Sequence, residues 1–241
     1  MQGEISVKRV SDSKKSVNNP DITILIPTLN EEHNITHVLD KLMQYKNFFK
    51  EVIIVDGGST DNTVNVCKKY PVKILIEKRR GKGIAIKEGV HSSSCDYIIV
   101  IDADASHRAE EIPVVLEKLQ QGYDLVKGSR FIKGGGTYDM TLLRKMGNLF
   151  LLFIVNFWGA DYTDLCYGYI GFKKDAFQRF LPESDGFDTD VEFVVKAFKS
   201  GLKVCEFPSL ERRRFHGDPK GNIIKVGLKD LRTIIRVLLF Q

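Results

Sequence analysis

The chain has 241 residues, of which 43% are hydrophobic and 28% are charged. This is the composition of an ordinary globular protein, and it excludes a fibrous or wholly disordered chain. The formal net charge is +5, but eight Lys/Arg and only two Asp fall in the last thirty residues, so the basic charge lies at the C-terminal end. That placement indicates an anionic surface or substrate. The lack of interleaved aromatic residues there argues against a nucleic-acid binder.

Along the chain, residues 1–20 are polar and predict a disordered leader and no signal peptide. From residue 21 onward, short apolar runs alternate with stretches of helical spacing. The runs are 22–26, 51–55, 72–76, 97–101 and 125–126, and the helical stretches are 32–45, the segment from Ser59, 83–91 and 109–121. This alternation is typical of βαβ units. The predicted fold is α/β, with a doubly wound, mainly parallel sheet flanked by helices in one domain over residues 21–221.

Neither the cysteines nor the apolar stretches indicate secretion or a membrane span. Four separated cysteines form no CxxC motif and predict reduced core thiols in a cytosolic protein. The longest apolar stretch, 149–158, is too short to cross a bilayer. It is expected to be either a buried helix or a shallow membrane contact.

Polar residues follow three of the predicted strands at the point where each strand ends. The first run is followed by Pro-Thr-Leu-Asn-Glu-Glu at 27–32, the second by Asp-Gly-Gly-Ser-Thr-Asp at 56–61, and the fourth by Asp-Ala-Asp at 102–104. An open parallel sheet binds ligands beyond the carboxyl ends of its strands, so these segments predict one shared site.

Asp102 and Asp104 are the strongest chemical signal in that predicted site. Two carboxylates one residue apart can ligate one hard divalent cation and leave positions for phosphate oxygens, whereas a helix cap would explain only one of them. Asp56 is expected either to accept hydrogen bonds from a nucleotide or to bond the backbone of its own turn. Lys82, in a Gly-flanked loop, is expected either to approach phosphates or to be a solvated loop lysine.

These segments resemble the family 2 glycosyltransferases of the GT-A fold, a Rossmann-like architecture, over roughly residues 21–221. The resemblance is carried by 26–32, 55–61, 80–83 and 102–104, in the order and spacing of the family. It implies a UDP- or GDP-linked sugar donor, Mg²⁺ or Mn²⁺ at Asp102 and Asp104, and inversion at the anomeric carbon. The residues expected to hold the nucleotide sugar are Pro27, Thr28, Asn30, Glu31, Asp56, Lys82, Asp102 and Asp104.

The second half of the chain resembles the dolichol-phosphate mannosyltransferase branch, which transfers a sugar to a polyprenyl phosphate. The resemblance is carried by 128–131, Arg144, 163–164, 168–172 and 185–192, and loosely by 217–220. It implies that Arg130, Arg144 and Lys220 face the acceptor phosphate. The chain departs from the branch at Ala105-Ser106, where Leu-Gln would supply a third metal ligand, so Ser106 is left out of the metal set. Asn148 also replaces an expected serine at the acceptor phosphate.

The nature of the acceptor decides whether a general base is needed. A phosphate monoester attacks as an anion at neutral pH, because its second pKa is about 6. A hydroxyl acceptor needs a positioned carboxylate, and Asp190 is the candidate among Asp188, Asp190 and Glu192. Those three would share one side in a strand and spread apart on a helix beginning near Asp190. The candidate catalytic residues are Asp190, Asp104 and Arg130.

The C-terminal segment, 222–241, predicts a basic amphipathic helix. Its basic stripe is Lys225, Lys229, Arg232 and Arg236, and its apolar stripe is Ile224, Leu228, Leu231, Ile235 and Leu238. Such a helix suits the membrane interface, although a helix packed on the domain would show the same pattern. The leading hypothesis is a metal-dependent inverting glycosyltransferase that acts on polyprenyl phosphate at the cytosolic membrane face. The alternative is the same donor chemistry with transfer to a glycan or small-molecule hydroxyl.

Overall fold

A central seven-stranded sheet organises the computed structural model, which describes residues 21–218 and 221–241. In chain order the strands are β1 (Ile22–Thr28), β2 (Glu51–Asp56), β3 (Lys73–Ile76), β4 (Tyr97–Val100), β5 (Leu125–Ser129), β6 (Gly136–Thr137), β7 (Ile170–Lys173), β8 (Val204–Pro208) and β9 (Leu210–Glu211). The sheet order is β3-β2-β1-β4-β7-β5-β8, and β6 and β9 form a separate parallel pair. The predicted leader, residues 1–20, lies outside the described residues.

The sheet is parallel apart from β7, which runs antiparallel to both β4 and β5. The mainly parallel α/β fold is therefore confirmed. Strand β7 was not predicted from the sequence, because its short run Ile-Gly-Phe-Lys was assigned only to a motif. β1 and β2 pair in register from Thr23 with Glu51 to Thr28 with Asp56, so their carboxyl ends reach the same edge.

Helices cover both faces of the sheet. They are α1 (Glu32–Met43), α2 (Thr63–Cys67), α3 (Lys82–Ser92), α4 (Ile112–Gln120), α5 (Leu142–Phe157), α6 (Lys174–Arg179), α7 (Thr189–Lys199) and α8 (Ile223–Phe240). The apolar faces of α1 and α4 pack on one side of the sheet, and those of α3, α6 and α7 pack on the other. Short 3₁₀ turns at Lys46–Phe48 and Ala109–Glu111 complete these layers.

The prediction that Ser59 starts a helix is wrong, because α2 begins only at Thr63. The backbone N–H and the hydroxyl of Ser59 both donate to Asp56, at 2.8 and 2.5 Å. These bonds hold Ser59 in the turn after β2. Asp61 then accepts hydrogen bonds from the backbone and hydroxyl of Thr63 at the start of the helix.

A third apolar cluster joins α5, α7 and α8. From α8 it takes Ile234, Val237 and Leu238, whereas three members of the predicted apolar stripe, Ile224, Leu228 and Ile235, are exposed. The predicted stripe is therefore divided, because its other two members, Leu231 and Leu238, pack on this cluster. The C-terminal helix packs on the domain with one set of apolar residues and presents another set to solvent.

The prediction of core thiols holds for only half of the cysteines. Cys67 and Cys95 are buried, Cys205 is half-buried and Cys166 is exposed, and all four are free thiols.

Candidate active site

A cavity of about 730 Å³ opens at the carboxyl edge of the sheet. It is lined by the ends of β1 and β4, by the start of α3, and by α5 and α8, whose exposed apolar side chains Leu143, Phe150 and Leu228 lie at its mouth. Two of the three polar strand ends, those after β1 and β4, contribute several lining residues, and the end of β2 contributes Gly57.

Asp102 is fixed by two basic neighbours. Its Oδ1 lies 2.8 Å from Lys82 Nζ, and its Oδ2 lies 3.6 Å from His107 Nε2. His107 is itself buried between Tyr167 and Tyr169, and its Nδ1 accepts the backbone N–H of Asp102. Burial opposes ionisation of Asp102, but the charge of Lys82 outweighs it and lowers the pKa of this carboxyl.

Asp104 faces a different cation. Its Oδ2 lies 3.4 Å from Arg214 Nη1, and its Oδ1 accepts the backbone N–H of Ser106 at 3.0 Å. Arg214 also contacts Glu31 at 2.5 Å, so it links the ends of β1 and β4. Each aspartate of the pair is thus compensated by a cation of the protein.

The two aspartates fit a divalent cation as an incomplete set of ligands. They supply hard oxygen atoms at the cavity surface, and each of the two carboxylates is already paired with a positively charged side chain. Across residues 21–218 and 221–241, no group of three His, Cys, Asp or Glu side chains is arranged to hold a metal ion. The pair would therefore leave coordination positions open.

Lys82 connects Asp102 to Asp190, whose Oδ2 lies 2.7 Å from Lys82 Nζ. The lysine side chain is 7% exposed, and the two carboxylates outweigh burial and raise its pKa. The prediction of a solvated loop lysine is wrong, because Lys82 lies in the first turn of α3 inside the cavity wall. Gly83 allows this placement, since a Cβ there would collide with the carbonyl oxygen of Ser184.

Asp190 is the only one of the three predicted acidic residues that lines the cavity. All three lie at the start of α7, and the helix spreads them apart. Asp188 accepts from Thr233 and pairs with Lys229, and Glu192 pairs with Arg236, so both fix α8 to α7. Burial, with the nearby charge of Asp102, raises the pKa of Asp190 against the opposing effect of Lys82.

On the nucleotide side, Pro27, Thr28 and Glu31 line the cavity. Asn30 and Asp56 are not among the lining residues. Asn30 Oδ1 accepts the backbone N–H of Thr60 at 2.8 Å, and Asp56 bonds the backbone of its own turn. These two residues therefore shape the loops after β1 and β2, and a contact between them and a nucleotide stays a prediction.

On the acceptor side, Arg130, Arg144 and Asn148 line the cavity. The Arg130 guanidinium is engaged by Asp164 at 2.7 Å and by Glu211 at 3.1 Å, while half-buried Arg144 has a single longer ion pair of 3.8 Å. Asn148 Oδ1 accepts the backbone N–H groups of residues 165 and 166, and its buried Nδ2 has no partner among the described residues. Lys220 lies outside the described residues.

Sequence reasoning missed His107, Arg214 and Asp230. His107 stands five residues after Asp102, and this spacing could have suggested a contact. Arg214 lies in a basic segment that has no helical or strand pattern, so nothing local pointed to Glu31 or Asp104. Asp230 was counted only as a charge on α8, although it is buried and lines the cavity.

Asp230 is expected to make the stability of the fold depend on pH. Burial, with the charges of Asp190 and Asp188, raises its pKa from 3.8 to about 7. Between these values the folded protein holds a proton that the unfolded chain releases, so Asp230 lowers the free energy of unfolding as pH rises. The free energy of unfolding, measured in urea, should fall between pH 5 and pH 8 in the wild type. In Asp230→Asn we expect this fall to be smaller by about 2 kcal/mol. Exposed Asp185→Asn is the control, and parallel pH profiles for the wild type and Asp230→Asn would contradict the prediction.

The fold is that of solved glycosyltransferases. Glucosyl-3-phosphoglycerate synthase from Mycobacterium tuberculosis, in complex with Mn²⁺, UDP-glucose and phosphoglyceric acid, superposes with a TM-score of 0.78 at 19% identity over 90% of this chain and 79% of that one. The same enzyme in complex with Mg²⁺ and UDP gives a TM-score of 0.74. These likenesses confirm the GT-A architecture, and the metals bound by that enzyme agree with the expected Mg²⁺ or Mn²⁺.

The sequence comparisons give the family. The model of glycosyl transferase family 2 matches residues 23–181, and the chain belongs to that family. It is 32% identical over 196 residues to the glycosyltransferase AglJ of Haloferax volcanii and 30% identical over 210 residues to the dolichol-phosphate mannosyltransferase of Pyrococcus furiosus. The second of these relatives belongs to the dolichol-phosphate mannosyltransferase branch that the sequence resembles. The aligned regions span 63% and 58% of those two proteins, and 79% and 83% of this chain. Protein MJ1222 of Methanocaldococcus jannaschii matches at 29% identity over 97% of this chain and 99% of its own length.

Proposed function

We propose that this glycosyltransferase moves a sugar from a UDP- or GDP-linked donor to a polyprenyl phosphate, with Mg²⁺ or Mn²⁺, at the cytosolic surface of a membrane. The observation that carries the proposal is the two-part lining of the cavity. Carboxylates and cations at the strand ends and on α3 line one part of it, and apolar residues of α5 and α8 line another, among them exposed Leu143, Phe150 and Leu228. A ligand with a charged head and an apolar chain suits both parts.

The donor end of the cavity is the side of Glu31, Lys82, Asp102 and Asp104. Asp102 and Asp104 would hold the divalent cation, which when bound stabilises negative charge on the departing nucleoside diphosphate. Arg214 and Lys82 now neutralise these carboxylates. Both cations lie where the diphosphate would bind, and they would then attract its oxygens.

The acceptor end is the side of Arg144 and Asn148. Arg144 has a longer ion pair than Arg130 on this wall, and Asn148 offers a buried N–H group with no acceptor among the described residues. A phosphate would satisfy both groups. Arg130 supports this wall through Asp164, and the proposal that it also touches the phosphate rests on its place in the lining.

No general base is required for such an acceptor, because a phosphate monoester is already an anion near neutral pH. Asp190 would instead help hold Lys82 and the sugar. A hydroxyl acceptor remains the second candidate, and the observation that favours it is the buried Oδ1 of Asp190, which has no partner among the described residues. In that reaction Asp190 would remove the hydroxyl proton.

The apolar surface around the cavity mouth supports a membrane location. On α5 the exposed apolar side chains include Phe153 at 69% and Phe157 at 80%, and on α8 they include Leu228, Leu239 and Phe240. Exposed apolar patches of this extent mark interaction surfaces. Lys225 and Arg232 are exposed on α8, where anionic headgroups would attract them. In the part of the chain that the structure describes, no helix is long and apolar enough to cross a membrane.

Membrane binding gives a testable result. We expect Phe153→Ser with Phe157→Ser to weaken binding to vesicles of mixed phosphatidylcholine and phosphatidylglycerol by at least about tenfold, because each exposed ring loses its burial in lipid. The fraction of protein that floats with the vesicles in a density gradient measures this binding. Ile76→Ser, at an exposed apolar residue on the edge strand β3, is the matched control and should bind as the wild type does. Equal loss in both variants would contradict a membrane role for α5.

The acceptor is tested by the fate of a radiolabelled sugar. With UDP- and GDP-sugars, Mn²⁺ and a polyprenyl phosphate, we expect label in the organic extract. We also expect Arg144→Gln to raise the KM for the lipid phosphate about tenfold, since a charge-assisted hydrogen bond is lost. The affinity for a nucleoside diphosphate should stay unchanged, which is the internal control. Label that appears only in a water-soluble glycoside would support the hydroxyl acceptor instead.

A further inference from the structure

Asp230 occupies a position on α8 where packing favours an apolar residue. It lies on the buried face of the helix, one turn before Ile234 and two turns before Val237 and Leu238. It is 5% exposed, and its buried Oδ1 has no hydrogen-bond partner among the described residues. A buried carboxyl group with an unpartnered oxygen destabilises the fold. Because this one lines the active-site cavity, its place indicates a contact with a ligand.

The surroundings of Asp230 define the chemistry of that ligand. Asp190 lines the same wall, with Oδ2 bound to Lys82 and Oδ1 without a partner among the described residues. The nearest cation on α8, Lys229, is engaged by Asp188 at 2.8 Å. This part of the wall therefore presents hydrogen-bond acceptors, and its negative charge disfavours an anion. A neutral ligand with several O–H donors suits it best.

We propose that Asp230 is a sugar-binding residue, which together with Asp190 accepts hydrogen bonds from neighbouring hydroxyl groups of the donor sugar. The inference rests on the proposed function and adds a contact from the C-terminal helix to it. It gives α8 a role inside the active site in addition to its exposed apolar face.

The helix is held firmly enough to place such a contact. Thr233 donates to Asp188 at 3.0 Å, and Arg236 contacts Glu192 at 2.9 Å, so α8 is tied to α7 over two turns. Asp190 lies on α7 between the two carboxylates that make these ties. The relative positions of Asp190 and Asp230 are thus set by two packed helices, and not by a loop.

The test compares the affinity for nucleotides with and without a sugar. Titration calorimetry with Mn²⁺ gives the Kd of UDP, UDP-glucose, GDP and GDP-mannose. The ratio of the diphosphate Kd to the nucleotide-sugar Kd measures the sugar contacts. In Asp230→Ala we expect this ratio to fall about tenfold for the sugar that the enzyme uses, with the diphosphate Kd changed less than about twofold.

Two further variants keep the result interpretable. Asp230→Asn removes the charge without removing volume, folds if the alanine variant does not, and should also lower the ratio. Asp161→Asn removes the charge of an exposed carboxylate that does not line the cavity, and should leave the ratio unchanged. An unchanged ratio in both Asp230 variants would overturn the inference and leave the proposed function intact. Wild-type protein that binds none of the four nucleotides would overturn both.

Discussion

Asp104→Ala is expected to lower metal-dependent release of nucleoside diphosphate by at least about a thousandfold, because charge that develops on the leaving diphosphate loses several kcal/mol of stabilisation. Among the described residues, the carboxylate of Asp104 contacts only Arg214 and the backbone N–H of Ser106, and Arg214 keeps its contact with Glu31 in the variant. The fold should therefore persist. Release of nucleoside diphosphate with increasing Mn²⁺ measures the effect.

The control for this variant is a carboxylate close by that does not line the cavity. Glu110, in the short 3₁₀ turn before α4, pairs with Arg212 at the surface. Glu110→Ala should retain nearly full activity. An Asp104→Ala variant that keeps more than about a tenth of the metal-stimulated rate would remove Asp104 from the proposed metal site.

Lys82→Met is expected to affect stability as well as turnover. It leaves the carboxylates of Asp102 and Asp190 without their shared cation, and removing one partner from a buried ion pair costs about 3–5 kcal/mol. We expect the free energy of unfolding of the metal-free protein to fall by about 3 kcal/mol in urea, and sugar transfer to be lost.

Lys87→Met is the matched control for that measurement. Lys87 lies on the same helix and pairs with exposed Asp185 at 3.0 Å. An exposed pair of this kind contributes at most about 1 kcal/mol. If Lys82→Met and Lys87→Met unfold at the same urea concentration, the ion pairs of Lys82 with Asp102 and Asp190 do not stabilise the protein in solution.

The fold was predictable from the sequence because its signals are local. Unbroken apolar runs at β1, β2 and β4, each followed by a polar turn, indicate parallel strands directly. The antiparallel strand β7 was not predicted, since its four residues carry no period of their own and become a strand only between β4 and β5. For a similar reason, the sequence left open whether the apolar stripe of α8 faces a membrane or packs on the domain. Contact with α5 and α7 covers Leu231 and Leu238 of that stripe and leaves its other members exposed.

The candidate site was predictable where its residues follow strands. Asp102 and Asp104 line the cavity, as the position of their motif suggested. The partners of these carboxylates were not predictable, because the contacts of Lys82 with Asp190 and of Arg214 with Glu31 join residues more than a hundred positions apart. In the acidic segment 188–192, Asp190 was chosen as the candidate from the sequence, and it is the one of the three carboxylates that lines the cavity.

The central claim is that a lipid-linked phosphate accepts the sugar. The measurement that tests it most directly is nucleoside diphosphate release from UDP- and GDP-sugars with Mn²⁺, in the presence of a polyprenyl phosphate, of 3-phosphoglycerate, or of no acceptor. We expect release that depends on the polyprenyl phosphate and is absent in Asp104→Ala. Release that is indifferent to the lipid phosphate, or that is stimulated only by the soluble acceptor, would contradict it.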